Sequence, residues 1–301
     1  MTPFQHNTAT TGINVKEVIL TQKHSWILKN KPYSGKIAKG VIFLVAVYNA
    51  EGKLPALFKM IEASKPRPEK VIFCENNSTD KTLELIWNWK YPHEVIRFWA
   101  RKDAIKVGRE YDVIGAARQL LLTRARKLSP EFAIFLDDDV FPEDPNYIEK
   151  LTSHNNELVG GTYLRQFPEG IFIASKWHVN EPPRSMPQVR LLKKLVRKAQ
   201  KKGHPNMIFS TCERKLYRVT MTSGGLLCIR KDLIQDGRIN FFPIPEELTG
   251  MFSEDFFYCV TAKGYGYLPY LDGDTRAAHV FATETKKRAW KVNTPFSFGE
   301  D

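Results

Sequence analysis

The chain has 301 residues, 43% of them hydrophobic and 12% aromatic, enough to bury a sizeable core and too apolar for a disordered polypeptide. Its formal net charge of +12 favours anionic partners such as nucleotide phosphates or anionic lipid. No zinc-finger spacing or RNA-binding aromatic signature points to nucleic acid, no apolar run is long enough to span a bilayer, and the start, MTPFQHNTATTG, lacks the features of a secretory signal.

Residues 1–39 show little periodicity and are expected to form an N-terminal arm with at most one short strand. Order begins at Val41–Val47, a continuous apolar, β-branched run of the kind found in strands covered on both faces. Leu54, Leu57, Phe58 and Ile61 then recur at helical spacing, and Pro66 and Pro68 close that helix. Val71–Cys74 predicts a second strand, running into Asn77-Ser78-Thr79-Asp80, where Ser78 or Thr79 can cap the next helix. That helix carries Leu83, Ile86 and Trp87 on one face, and Val95–Trp99 predicts a third strand. A helix over 112–128 follows, with Val113, Ala117, Leu120, Leu121 and Leu128 inward, and Phe132–Leu136 is a fourth strand. Strands alternating with helices through short loops predict an α/β domain with a mostly parallel sheet and helices on both faces.

In such a sheet ligands bind beyond the carboxyl ends of the strands. Tyr48-Asn49, Glu75-Asn76-Asn77 and Asp137-Asp138-Asp139 all fall there, so three polar clusters converge on one crevice. Beyond residue 140, strands are predicted at 157–164 and 170–174, with a Pro-, Lys- and Arg-rich insertion at about 175–210. A further strand over 216–230 is interrupted by Gly224-Gly225, and a helix over 255–263 is stopped by Gly264. Cys74, Cys212, Cys228 and Cys259 have no metal-type spacing and are expected as reduced thiols, mostly buried. The whole is expected to form one continuous domain whose halves are 40–140 and 141–301.

A hydrophobic strand ending in Asp-x-Asp suits a hard divalent cation held together with a diphosphate. Residues i and i+2 of an extended segment point the same way, so Asp137 and Asp139 can share an ion while Asp138 faces elsewhere. The competing reading is a solvated acidic turn ahead of Pro142.

The order Val-Ala-Val-Tyr-Asn (45–49), Glu-Asn-Asn-Ser-Thr-Asp (75–80), Ala-Ala-Arg (116–118) and Leu-Asp-Asp-Asp (136–139) resembles the nucleotide-binding half of GT-A glycosyltransferases. The likeness is greatest to the large inverting group related to cellulose and chitin synthases and dolichol-phosphate-mannose synthases. It covers roughly residues 40–281 and continues through Ser253-Glu254-Asp255 and a later His279. The resemblance implies a Rossmann-like GT-A fold and a metal-dependent hexosyltransferase using Mn²⁺ or Mg²⁺ and a nucleoside diphosphate sugar. The acceptor would be a glycan, glycoprotein or glycolipid. Ala46 and Tyr48 would pass the nucleotide base, and Glu75 and Asn76 would hold base or ribose where the family has Asp-Asp. Arg118 would approach the nucleotide or its diphosphate, with Gln119 replacing the family's Asn. Asp137 and Asp139 would serve ribose and metal, Asp138 would lie in the nucleotide-sugar site, and His279 would be a further ligand. Asp255 would be the general base, with Glu254, Gly224 and Gly225 beside the donor sugar and acceptor.

Alternatives accompany several of these roles. Ser253 and Asp255 also suit a helix N-cap, Gly224-Gly225 also suits a β-bulge, and His279 before Val280-Phe281 also suits a structural histidine. Residues 190–202 place Leu191, Leu192, Leu195, Val196 and Ala199 on one helical face with a cationic opposite face. Such a helix either packs on the domain or lies on an anionic membrane, which makes the expected location cytoplasmic with peripheral membrane contact as an option. Competing functions are a retaining GT-A transferase, a nucleotidyltransferase and an inactive nucleotide-sugar-binding module. Tyr48-Asn49-Ala50-Glu51-Gly52 lacks the glycine-rich basic loop expected of the second.

Overall fold

The structure is a computed structural model describing residues 18–20, 37–98, 110–167, 170–173, 216–219, 222, 224–244 and 253–279. The expected insertion at 175–210, its helix 190–202, and Cys212 lie outside the described residues.

The first half alternates as expected. Strand β1 (Val18–Leu20) precedes β2 (Ile37–Val47), α1 (Leu54–Ala63), β3 (Arg67–Glu75), α2 (Thr82–Asn88) and β4 (His93–Arg97). Then come α3 (Glu110–Leu128), β5 (Phe132–Leu136), β6 (Val140–Pro142), α4 (Tyr147–Ser153), β7 (Leu158–Phe167) and β8 (Gly170–Ile173). The remainder is β9 (Leu216–Arg218), β10 (Leu226–Arg230), α5 (Lys231–Gln235), α6 (Glu254–Gly264) and β11 (Pro269–His279).

These strands form one sheet in the order β1-β4-β3-β2-β5-β10-β7-β11-β6, with β8 on β7 and β9 on β11. The block β4-β3-β2-β5 is parallel. Beyond it the sheet is mixed: β10 is antiparallel to β5 and β7, and β11 is parallel to β7 but antiparallel to β6 and β9. The parallel character expected of the sheet is thus confined mainly to the half in which helices supply the crossovers.

Alternation along β2 explains the layering. Phe43, Val45 and Val47 face one side with Leu54, Leu57 and Ile61 of α1 and Tyr147 and Ile148 of α4. Ile42 and Leu44 face the other with Ala116, Ala117, Leu121 and Leu122 of α3 and Tyr258 and Cys259 of α6. A strand buried on both faces needs an unbroken apolar run, which is what 41–47 provides. Each fully buried Leu or Ile here contributes about 1.5–3 kcal/mol.

Several boundaries differ from expectation. Pro68 lies inside β3 rather than only ending the preceding helix, opposite Ala38 near the start of the β2–β3 ladder. On α3 the fully buried positions are Ala116, Ala117, Leu121, Leu122 and Ala125, while Val113, Leu120 and Leu128 are only partly covered. The segment expected as one strand over 216–230 is two strands with different neighbours, β9 and β10, and Gly224-Gly225 form the turn leading into β10. Cys74, Cys228 and Cys259 are buried and form no disulfide. No helix among the described residues is long and apolar enough to cross a membrane.

Strand β11 carries a break in register between Asp272 and Arg276 against β7. There the buried Asp272 carboxylate accepts hydrogen bonds from the Asp274 N–H at 2.9 Å and the Thr275 hydroxyl at 2.6 Å.

Candidate active site

Sheet order reverses direction between β2 and β5, the point where an α/β sheet opens a crevice at its carboxyl edge. The loops after β2 and β3 meet there as one clamped unit. Asn49 N–H donates to Ser78 Oγ at 3.0 Å, Ala50 N–H to Thr82 Oγ1 at 2.6 Å, and Glu51 N–H to Asp80 Oδ2 at 3.0 Å. In return, Thr79 N–H donates to Asn49 Oδ1 at 2.9 Å and Lys81 N–H to Glu51 Oε2 at 3.1 Å. Asn49 and Asn77 take left-handed backbone, with φ of 46° and 47°, a conformation asparagine tolerates well.

Tyr48 is 53% exposed on this edge, Ala46 and Asn76 are half-buried, and Glu75 is fully buried. Both oxygens of the Glu75 carboxylate are engaged, one by the Ser78 N–H and the other by Arg97 Nε at 3.0 Å. Glu75 thereby braces the loop.

On the far side of the reversal, Leu136 of β5 ends in the three aspartates, and each carboxylate has its own surroundings. Asp137 Oδ1 accepts from Arg118 Nη2 of α3 at 2.7 Å. Asp138 Oδ1 accepts from Lys53 Nζ at 2.6 Å. Asp139 lies 3.9 Å from Lys53 Nζ through Oδ2 and 3.6 Å from His279 Nε2 through Oδ1. Burial pushes the Asp138 carboxyl up to about 7; the Lys53 ammonium works against that rise, and Asp139 and Asp137 add to it.

Arg118 is the hub. Its guanidinium, 4% exposed, lies 2.7 Å from Asp137 and 3.0 Å from Glu254 Oε1 at the start of α6. One buried cation thus stands between a half-buried carboxylate and a buried one. Burial accordingly pushes the Glu254 carboxyl up to about 8, with Arg118 opposing and Asp255 and Asp137 reinforcing. Room for the guanidinium comes from Gly224, where a Cβ atom would stand 1.4 Å from Arg118 Nη1. Gly115 gives α6 a similar approach to α3, since a Cβ there would meet the Glu254 side chain at 3.2 Å.

The glycine turn joins the two halves. Gly224 N–H donates to Asp255 Oδ2 at 3.0 Å, and the Gly225 carbonyl accepts the Asp137 N–H at 2.9 Å. Asp255 Oδ1 accepts from the Phe256 N–H at 2.8 Å and from the Ser253 hydroxyl. The structure thus brings Arg118, Asp137, Gly224, Gly225, Glu254 and Asp255 together, with Asp139 and His279 paired close by.

Among the described residues no group of three or more His, Cys, Asp or Glu side chains stands as a metal cluster. Asp137 pairs with Arg118 through Oδ1, and beside it Asp139 and His279 form a two-donor set of carboxylate and imidazole. That set fits Mn²⁺ or Mg²⁺, whose sites with phosphorylated substrates commonly use few protein ligands.

Sequence reasoning did not single out Lys53 or the clamp residues Thr82, Asp80 and Glu51. For Lys53 a signal exists: a cation stands at the N-cap of α1, with no acidic residue in the first turn, against the helix dipole. Such a local conflict marks positions kept for another purpose.

A doubly wound parallel block continued by antiparallel strands, with an acidic run at the reversal, is the GT-A glycosyltransferase fold. The profile of glycosyl transferase family 2 matches residues 42–223, more than half the chain, and the protein belongs to that family. A glycosyltransferase 25 family member from Aedes aegypti is 30% identical over 142 residues, covering 41% of this chain and 23% of that protein. Among solved structures, GalNAc-T7 with UDP, GalNAc and Mn²⁺ superposes with a TM-score of 0.50 at 14% identity, covering 84% of this chain and 45% of that one. S. aureus TarS 1-349 in complex with UDP-GlcNAc gives 0.48 at 17%, covering 82% and 59%. The chain therefore spans under a quarter of the curated relative and about half of these solved chains.

Proposed function

We propose that this protein moves a sugar from a nucleoside diphosphate sugar to an acceptor hydroxyl with inversion at the anomeric carbon. The observation that carries the reading is the Gly224-Gly225 turn, which links the Asp255 carboxylate to Asp137 at the mouth of the β2–β5 reversal. Family membership and a UDP-bound neighbour of the same fold support a nucleotide-sugar donor.

In this reading the nucleotide lies along the clamped loops, past Ala46 and Tyr48 and against Asn76. Asp139 and His279 would hold Mn²⁺ or Mg²⁺, which when bound neutralises charge on the departing diphosphate. Asp255 faces the acceptor. Its carboxylate takes the acceptor hydroxyl proton as the new oxygen–carbon bond forms, while the anomeric carbon–phosphate oxygen bond breaks and its electron pair leaves with the diphosphate. Attack opposite the leaving group inverts the centre. Gly224 N–H fixes the orientation of the base, and the Arg118 bridge holds α6 against the end of β5.

A thermal-shift screen of nucleoside diphosphates and their sugars with Mn²⁺ identifies the donor, because a ligand of the native state raises stability by mass action. With that donor, Asp139→Ala is expected to lose both transfer and donor hydrolysis, and proton NMR of the product to show the inverted anomer. Full activity in Asp139→Ala removes the metal reading, and a retained anomer removes inversion.

A further inference from the structure

The three aspartates after β5 have different nearest partners. Arg118 takes Asp137, Lys53 takes Asp138, and Asp139 is left beside His279. Lys53 reaches Asp138 from the opposite side of the β2–β5 reversal, so its ion pair joins the segment after β2 to the end of β5. Its backbone is fixed by the bond of its N–H to the Ala50 carbonyl at 2.9 Å, and Ala50 is tied in turn to Thr82. With Nζ at 2.6 Å from one aspartate and 3.9 Å from the next, the ammonium stands beside the diphosphate-binding edge. Nothing about α1 favours a lysine at its N-cap, where a positive charge opposes the helix dipole.

We propose that Lys53 is a positioning residue of the metal site: it binds Asp138 and so keeps that carboxylate out of the coordination sphere offered by Asp139 and His279. The division matters for turnover. A second protein carboxylate on the ion would occupy a position needed by the diphosphate and lower the ion's power to neutralise the leaving group. The inference rests on the metal reading of Asp139 and His279.

The test measures Mn²⁺ alone, without donor, by the loss of the free-ion electron paramagnetic resonance signal on titration with protein. Lys53→Met frees Asp138 and removes a positive charge within a few ångströms, so Mn²⁺ is expected to bind more tightly, on the order of tenfold. Lys53→Arg keeps the pair and should stay close to the native affinity. Adding Asp138→Asn to Lys53→Met should abolish most of the gain, as a double-mutant cycle requires if the two residues act together. Unchanged or weaker Mn²⁺ binding in Lys53→Met overturns the proposal, as does a gain that Asp138→Asn leaves intact. If the native protein binds no Mn²⁺, the underlying metal reading fails instead, a result distinct from native binding that Lys53→Met does not alter. Thermal unfolding of each variant separates these outcomes from loss of fold.

Discussion

The main-chain N–H of Gly224 donates to Oδ2 of Asp255 at 3.0 Å, so the side chain proposed as base is aimed by a turn from a separate part of the chain. Asparagine can accept the same hydrogen bond but takes no proton from an acceptor hydroxyl. Asp255→Asn is therefore expected to fold and bind donor like the native protein while transfer falls about 10²–10⁴-fold. Single-turnover transfer and calorimetric donor binding check the two halves. Retained turnover rejects Asp255 as base.

Gly224→Ala acts on Arg118. The new methyl would overlap a guanidinium that is 4% exposed and paired on both sides. Displacing it separates the buried Arg118 cation from its carboxylate partners, at a cost of about 3–5 kcal/mol when one partner of a buried pair is lost. Urea unfolding measures the loss, and native-like stability would mean the guanidinium can be accommodated elsewhere.

Thr82→Val keeps the shape of the clamp and removes its best-buried acceptor, leaving the Ala50 N–H unpaired. The expected destabilisation is about 1–3 kcal/mol. Because Ala50 belongs to the loop that begins at Tyr48, donor KM should rise as well, with kcat less affected. An unchanged KM would show that the loop keeps its shape without the clamp.

Glu94 gives a pH signature away from the crevice. Burial resists its ionisation, but Arg124 of α3 at 2.7 Å and Lys70 of β3 at 2.7 Å prevail and hold its carboxyl below the ordinary value of 4.5. A carboxyl lowered on folding contributes stability above its unfolded value and loses that contribution as pH falls through its folded value. Glu94→Gln should thus be less stable than native by about 1–3 kcal/mol near neutral pH. The two proteins should converge in acid well below 4.5. A gap that persists there means the loss comes from packing rather than charge.

Much of the parallel half was legible because its central strands are buried on both faces and therefore written as unbroken apolar runs, as in Val41–Val47 and Phe132–Leu136. The same logic concealed β11. Its sequence, PYLDGDTRAAH, mixes polar residues with a bulge, so neither a period of two nor a continuous run marks it. Position on the carboxyl edge followed from chain order alone, which is why Tyr48, Glu75 and Asp137 could be grouped before any contact was known. Partners could not be read. That Asp137 pairs with Arg118 and Asp138 with Lys53 depends on α1 and α3 packing on opposite faces of the sheet, a tertiary relationship no local pattern records. Nor does any local pattern record that Glu75, expected beside base or ribose, also accepts from Arg97 and the Ser78 N–H.

The irregularity in β11 between Asp272 and Arg276 separates two stretches that pair with β7 in different registers, and His279 lies at the end of the second. Side chains along a strand alternate between faces, so removing one residue from 273–275 would invert the second stretch while leaving Pro269–Asp272 in place. His279 would then point away from Asp139, and Ala278 would replace Ala277 on the core side. The bulge is thus a splice point, at which a single-residue insertion or deletion changes which residue stands beside Asp139.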